Sequence, residues 1–114
     1  MARLPAHLTP AERLALEEFM EGTRRLLGAD LCEARLFGSR ARGEGHEDSD
    51  VDVAVVVTAA GRARRYEVYD LAFDVLLRTG IDIAPSVIEQ ARLEELRSRE
   101  RLIAAAIDHE GIPL

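Results

Sequence analysis

"GSRARGEGHEDSDVDVAVVV", Gly38 to Val57, opens with a glycine-serine pair, gathers acidic residues and ends in valines. The segment DVDVAVVV has the β-branched content of a strand, and its later half is apolar at successive positions. That predicts a central strand with both faces covered. GEGHED is polar, carries two glycines and reads as a loop. Asp50 and Asp52 are two residues apart, so on a strand they share a face, about 7 Å apart along the backbone. Val51 and Val53 then point the other way, into the core. A slip of one residue would bury the acids, so the register that packs the valines also aims the carboxylates outward. Like charges held this close cost free energy unless something cancels them.

Working outward, LTPAERLALEEFMEGTRRLLGADL predicts a first helix. Thr9 is its N-cap, Pro10 suits the first helical position, Glu12 completes a capping box and Gly28 is a natural stop. Leu14, Leu16, Phe19, Met20, Leu26 and Leu27 form its expected apolar face, which Gly22 interrupts. CEARLFGS holds a short strand ending at Phe37, and RAR reads as one helical turn. A second helix is expected from Arg62 to Arg78. Its core side is expected to be Tyr66, Tyr69, Leu71, Phe73, Val75, Leu76 and Leu77, with Thr79-Gly80 closing it. IDIAPSVI predicts a third strand, and Pro85 places that strand near an edge or bulge. Two more helices follow, Glu89 to about Arg97 and Arg101 to Glu110, and IPL adds a short last strand. The order α, β, β, α, β, α, α describes an α+β domain, a small mixed β-sheet covered by helices.

The chain has 114 residues, a length for one domain. Its hydrophobic content of 47% and charged content of 32% are those of a globular protein. All 15 basic residues are arginine, and the net charge is −6. An acidic chain is a poor match for the phosphates of nucleic acid, so no stable nucleic-acid binding is expected. A single cysteine, Cys32, excludes an internal disulfide and a cysteine zinc site, and its apolar setting predicts a buried, inert thiol. With no basic stretch leading into a long apolar run and no span-length apolar segment, a cytoplasmic protein is expected, with no membrane contact.

The acidic stretch suggests metal chemistry. Hard cations such as Mg²⁺ take oxygen ligands, often one or two carboxylates plus substrate phosphates. Two metals about 4 Å apart can stabilise the attacking and leaving oxygens of a nucleotidyl transfer. Asp82, flanked by isoleucines in GIDIAP, is poor strand material by itself. If the third strand pairs with the second, Asp82 joins Asp50 and Asp52. Otherwise it caps a backbone group or meets an arginine. Gly38-Ser39, between a strand and a turn, can let a phosphate approach backbone N–H groups.

The stretch resembles the signature of the nucleotidyltransferase superfamily, G-S-x-A-x-G-x5-S-D-x-D, with Gly38, Ser39, Ala41, Gly43, Ser49, Asp50 and Asp52 at its fixed positions. GSRARG, IDIAP and IDHEGIPL, together with the short length, resemble the minimal nucleotidyltransferases. The resemblance covers roughly residues 36–114. It implies a DNA-polymerase-β-like fold in a single minimal domain over residues 1–114, with an N-terminal helix within 1–30 and a catalytic core over 35–114. It also implies Mg²⁺ in a two-metal site and ATP as substrate. By the same resemblance, Asp50, Asp52 and Asp82 ligate metal and carry catalysis, with Asp82 helping to deprotonate the acceptor hydroxyl. Gly38 and Ser39 hold the triphosphate, and Arg40, Arg42 and Ser49 fall in the same nucleotide-binding stretch. Minimal members pair with HEPN-domain toxins as antitoxins, in some cases transferring AMP to a tyrosine of the toxin.

Two other functions fit the same residues: a catalytically silent antitoxin that works by contact, and a small-molecule nucleotidyltransferase. The sequence is compatible with a homo-oligomer and with a hetero-complex. A calcium loop starting at Asp48 fails, because Val53 and Ala59 stand where glycine and glutamate are needed. Arg62, Arg64 and Arg65 cluster at a helix start, where cations oppose the dipole, and read as a solvated face or a binding patch. His46, Glu44, Glu47 and Asp48 read as loop residues, and Tyr66 and Tyr69 as packing residues.

Overall fold

A computed structural model describes residues 8–38, 41, 50–99 and 102–114. Helix α1 spans Pro10–Leu27, and its start is built as the sequence specifies. The Glu12 amide donates to the Thr9 hydroxyl at 3.1 Å, and the Thr9 amide donates to the Glu12 carboxylate at 2.9 Å. Pro10 has no N–H, so two of the three orphan N–H groups at this end are thereby satisfied. A 3₁₀ turn, Gly28–Asp30, leads into strand β1, Leu31–Phe37. Strand β2 is Val51–Val57.

The second helix differs from expectation. A separate short helix, α2, Ala59–Arg62, precedes it, and it starts later, as α3, Arg65–Thr79. The Thr58 hydroxyl caps α2 by accepting from the Gly61 amide, and Gly80 ends α3 in a left-handed conformation. Strand β3 is Ile83–Glu89, and α4 is Gln90–Ser98. The last predicted helix is a turn of α5, Leu102–Ala105, that widens into π-helix over Ala106–Glu110. Strand β4, Ile112–Pro113, closes the order.

The four strands form one mixed sheet in the order β3-β2-β1-β4. β1 is antiparallel to both β2 and β4, and β2 is parallel to β3. β2 is therefore interior, as its valines require, and β3 is an edge strand that tolerates Pro85. The β2–α3–β3 crossover returns the chain to the end of the sheet where β2 began.

Alternation along β2 divides the core. Val51, Val53, Val55 and Val57 face α1 and α3, packing with Leu16, Phe19, Val68 and Val75. Ala54 and Val56 face α4 and the C-terminal turn, packing with Leu93, Ala104 and Ile107. Burying each of these valines stabilises the fold by roughly 1.5 kcal/mol or more relative to exposure. Gly22 has a packing reason, since a Cβ there would lie 3.2 Å from Leu71 Cδ2, so its absence lets α1 approach α3 closely.

Several core expectations are corrected. Leu14 is 65% exposed. On α3 the buried residues are Val68, Ala72 and Val75, while Tyr66, Tyr69, Phe73 and Leu77 face outward. Small Ala72 lets the helix lie close to the sheet, and the larger apolar residues occupy the other side. Cys32 is exposed rather than buried. The β1–β2 register shifts between Leu31 and Glu33, so Cys32 is the extra residue of a bulge, and its thiol reaches Gln90 Oε1 at 3.6 Å.

Candidate active site

Asp50 and Asp82 are the residues immediately before β2 and β3. Asp82 thus precedes the third strand rather than lying within it. The parallel register sets Val51 beside Ile83 and Asp52 beside Ala84. The Val51 amide donates to the Asp82 carbonyl at 2.9 Å, which extends the ladder one step past the strands. That step brings Asp50 and Asp82 side by side, close enough for each carboxyl group to feel the other.

Loss of solvation at the carboxyl group, then the charge of Asp50, then hydrogen bonding with it hold Asp82 above the ordinary carboxylate range. Asp82 as a whole residue remains exposed, so the shift reflects local loss of solvation at its carboxyl group together with the neighbouring Asp50 charge.

Asp52 lies on the same face of β2, the face that Ala54 and Val56 share further along the strand. Its register partners are Phe37 on β1 and Ala84 on β3. Gly38 follows Phe37 with φ of 76°. A Cβ at Gly38 would lie 3.2 Å from Asp52 Cγ, and closer still to Oδ2. Position 38 therefore needs glycine for the left-handed backbone and again for the room it leaves a carboxylate. The Ala41 amide donates to the Gly38 carbonyl at 3.1 Å and closes a turn at the same end of the sheet.

The face of β2 is thus divided in kind. Its first positions carry acids, and its later positions are packed under α4. Among the described residues no three His, Cys, Asp or Glu side chains converge tightly enough to hold a metal ion by themselves. The donors are all carboxylate oxygens, two of them adjacent, and this set fits Mg²⁺, which takes one or two carboxylates and completes its shell from substrate phosphates and water.

Ser39, Arg40, Arg42 and Ser49 lie outside the described residues, as do Glu44, His46, Glu47 and Asp48. The arginine cluster is partly structural. Arg64 donates to the Glu67 carboxylate and to the Leu26 carbonyl, tying the start of α3 to the end of α1. The Arg65 guanidinium sits 4.6 Å from the centre of the Tyr66 ring. Sequence reasoning did not single out Phe37 and Ala84 as the flanks of Asp52. Only strand pairing reveals them, and no local pattern encodes it.

Comparison with known proteins bears on the family and the fold. The nucleotidyltransferase domain family matches residues 16–107. A protein of Methanocaldococcus jannaschii that bears the provisional name protein adenylyltransferase is 36% identical over 95 residues, 81% of this chain. The chain spans 64% of that relative's length. A chain in the crystal structure of a mutant of the toxin–antitoxin MntA–HpeT is 25% identical, with a TM-score of 0.50, over 86% of this chain and 70% of that one. A chain in the crystal structure of a toxin–antitoxin with AMP-PNP shares the fold, with 24% identity and a TM-score of 0.52, over 85% of this chain and 70% of that one.

Proposed function

The chain belongs to the nucleotidyltransferase domain family, and on that premise we propose that it is a Mg²⁺-dependent adenylyltransferase acting on a partner protein in the cytoplasm. It takes ATP, transfers AMP to a tyrosine hydroxyl of a HEPN-domain toxin, and so acts as the antitoxin. The observation that carries this reading is the adjacent Asp50–Asp82 pair beside Asp52, at the end of the sheet where Gly38 turns the chain. The adenylyl group follows the name of the M. jannaschii relative. The protein partner follows the toxin–antitoxin neighbour. Among the described residues no helix is long and apolar enough to cross a membrane.

In the proposed reaction the acceptor oxygen bonds to the α-phosphorus. The bond from that phosphorus to the oxygen bridging to the β-phosphorus breaks, and pyrophosphate leaves with the electron pair. The Asp82 carboxylate takes the hydroxyl proton. Gly38 and Ser39 hold the triphosphate, with Arg40, Arg42 and Ser49 in the same segment. Asp50, Asp52 and Asp82 are the residues that would hold Mg²⁺, whose positive charge offsets the carboxylates and the phosphates.

The test is ATP labelled at the α-phosphate, incubated with this chain and the protein encoded beside it. Label should enter that protein with Mg²⁺, and should be lost on chelation and in Asp52→Asn. Undiminished labelling with Asp52→Asn refutes the assignment.

A further inference from the structure

Tyr66, Tyr69, Phe73 and Leu77 are 65%, 37%, 57% and 69% exposed. Their spacings of three, four and four residues place all four within about 80° of the helix circumference, on a stripe about 16 Å long. The residues that pack α3 onto the sheet, Val68, Ala72 and Val75, lie on the other side. The Tyr66 and Tyr69 rings already meet edge to face, 6.0 Å between centroids. Contiguous exposed apolar surface rich in aromatic residues marks an interaction site.

The stripe has a charged border. Asp70 and Asp74 fall along one edge at helical spacing, both exposed, and neither has an ion-pair partner among the described residues. A second copy is a poor occupant. Two copies of α3 packed antiparallel about a two-fold axis would set their acidic edges against each other, and each chain carries −6. An amphipathic helix with an apolar face and a basic edge satisfies both features.

We infer that the outer face of α3 is the docking surface for such a helix, supplied by the partner protein. The carboxylates lie on the opposite face of the sheet, beyond the positions that α4 covers, so a helix seated on α3 leaves them open. The inference rests on the proposed function for what the partner is, while docking itself is measurable without nucleotide.

The experiment uses the intact chain and two synthetic helical peptides with the same leucine face, one edged with lysine and one with glutamate, read by fluorescence anisotropy. The lysine-edged peptide should bind about tenfold tighter or more. Phe73→Asp with Leu77→Asp should weaken it by about tenfold or more, with an unchanged thermal melt. Because that pair could disturb folding, Asp70→Lys with Asp74→Lys serves as the second variant, and it should reverse the peptide preference. Asp50→Asn with Asp82→Asn should bind the peptides as the wild type does, which separates failure of docking from failure of catalysis. Equal affinity for the two peptides, no measurable binding, no response to the α3 substitutions, or self-association of the chain through this face overturns the inference.

Discussion

The Val51 amide donates to the Asp82 carbonyl at 2.9 Å, one step beyond the paired strands, and this backbone bond sets the Asp82 carboxyl against that of Asp50. Two acids from positions 32 residues apart in sequence thus come together because β2 and β3 run parallel. The contact is unfavourable electrostatically for the unliganded protein, as expected of groups kept for chemistry rather than stability.

Asp82→Asn should therefore separate function from stability. It removes the proposed proton acceptor, so transfer should fall by about 10²-fold or more. It also removes a like-charge contact, so the metal-free protein should be as stable as the wild type or more stable. Because the pair is solvent-exposed, the gain should be modest, from a few tenths to about 1 kcal/mol. Urea denaturation in chelator, beside the transfer assay, checks both arms.

Gly38→Ala tests the second contact of the site. A methyl group at 38 enters the space of the Asp52 carboxylate, and the φ of 76° becomes strained. The backbone cost should be about 1–2 kcal/mol. Displacing a carboxylate by even 1 Å can cost about 10²-fold in rate. The expected result is a folded protein, by thermal melt, with transfer reduced far more than its stability.

Further along the face that Asp52 shares, Leu93 is buried against Ala54 and Val56. Leu93→Ala should cost about 2–5 kcal/mol, because the cavity cannot fully collapse under a strand held on both sides. Chemical denaturation measures it directly.

Arg97 pairs with Asp108 through its Nε and Nη2, at 2.8–3.0 Å, locking α4 to the C-terminal π turn. The Arg97 hydrogen bond first, partly opposed by burial and reinforced by the Arg97 charge, holds Asp108 below the ordinary carboxylate range. A depressed folded pKa means stabilisation that is present above the unfolded pKa and lost as pH falls through the folded one. Asp108→Asn should therefore lower stability at neutral pH by up to about 1 kcal/mol, and the difference from wild type should shrink as pH falls below the ordinary carboxylate range and through the depressed folded value. Denaturation midpoints across that pH range read it.

Much of this architecture is legible in the sequence. The capping box at Thr9 and Glu12, the central valine strand and the edge position implied by Pro85 all rest on local chemistry, and local chemistry is what a sequence displays. The burial side of α3 was not legible. Apolar residues occur on several sides of that helix, and the larger set, Tyr66, Tyr69, Phe73 and Leu77, outweighs the true core set of Val68, Ala72 and Val75. Which side meets the sheet depends on the small Ala72 and on Gly22 admitting Leu71, both of which are tertiary facts. Cys32 departs from expectation for a similar reason, since a bulge shifts strand alternation by one residue and leaves no periodic mark. The nearness of Asp82 to Asp50 was readable only as a condition on strand pairing, which the parallel β2–β3 register meets.

The central claim is that these carboxylates drive transfer of AMP to a partner protein. Its most direct test is the intact mass of the protein encoded beside this chain, after incubation with ATP and Mg²⁺. The wild-type chain should add whole AMP units to it, and Asp50→Asn and Asp52→Asn, both folded by thermal melt, should add none. An unmodified partner that is nonetheless neutralised equally by wild type and by both variants would contradict the account.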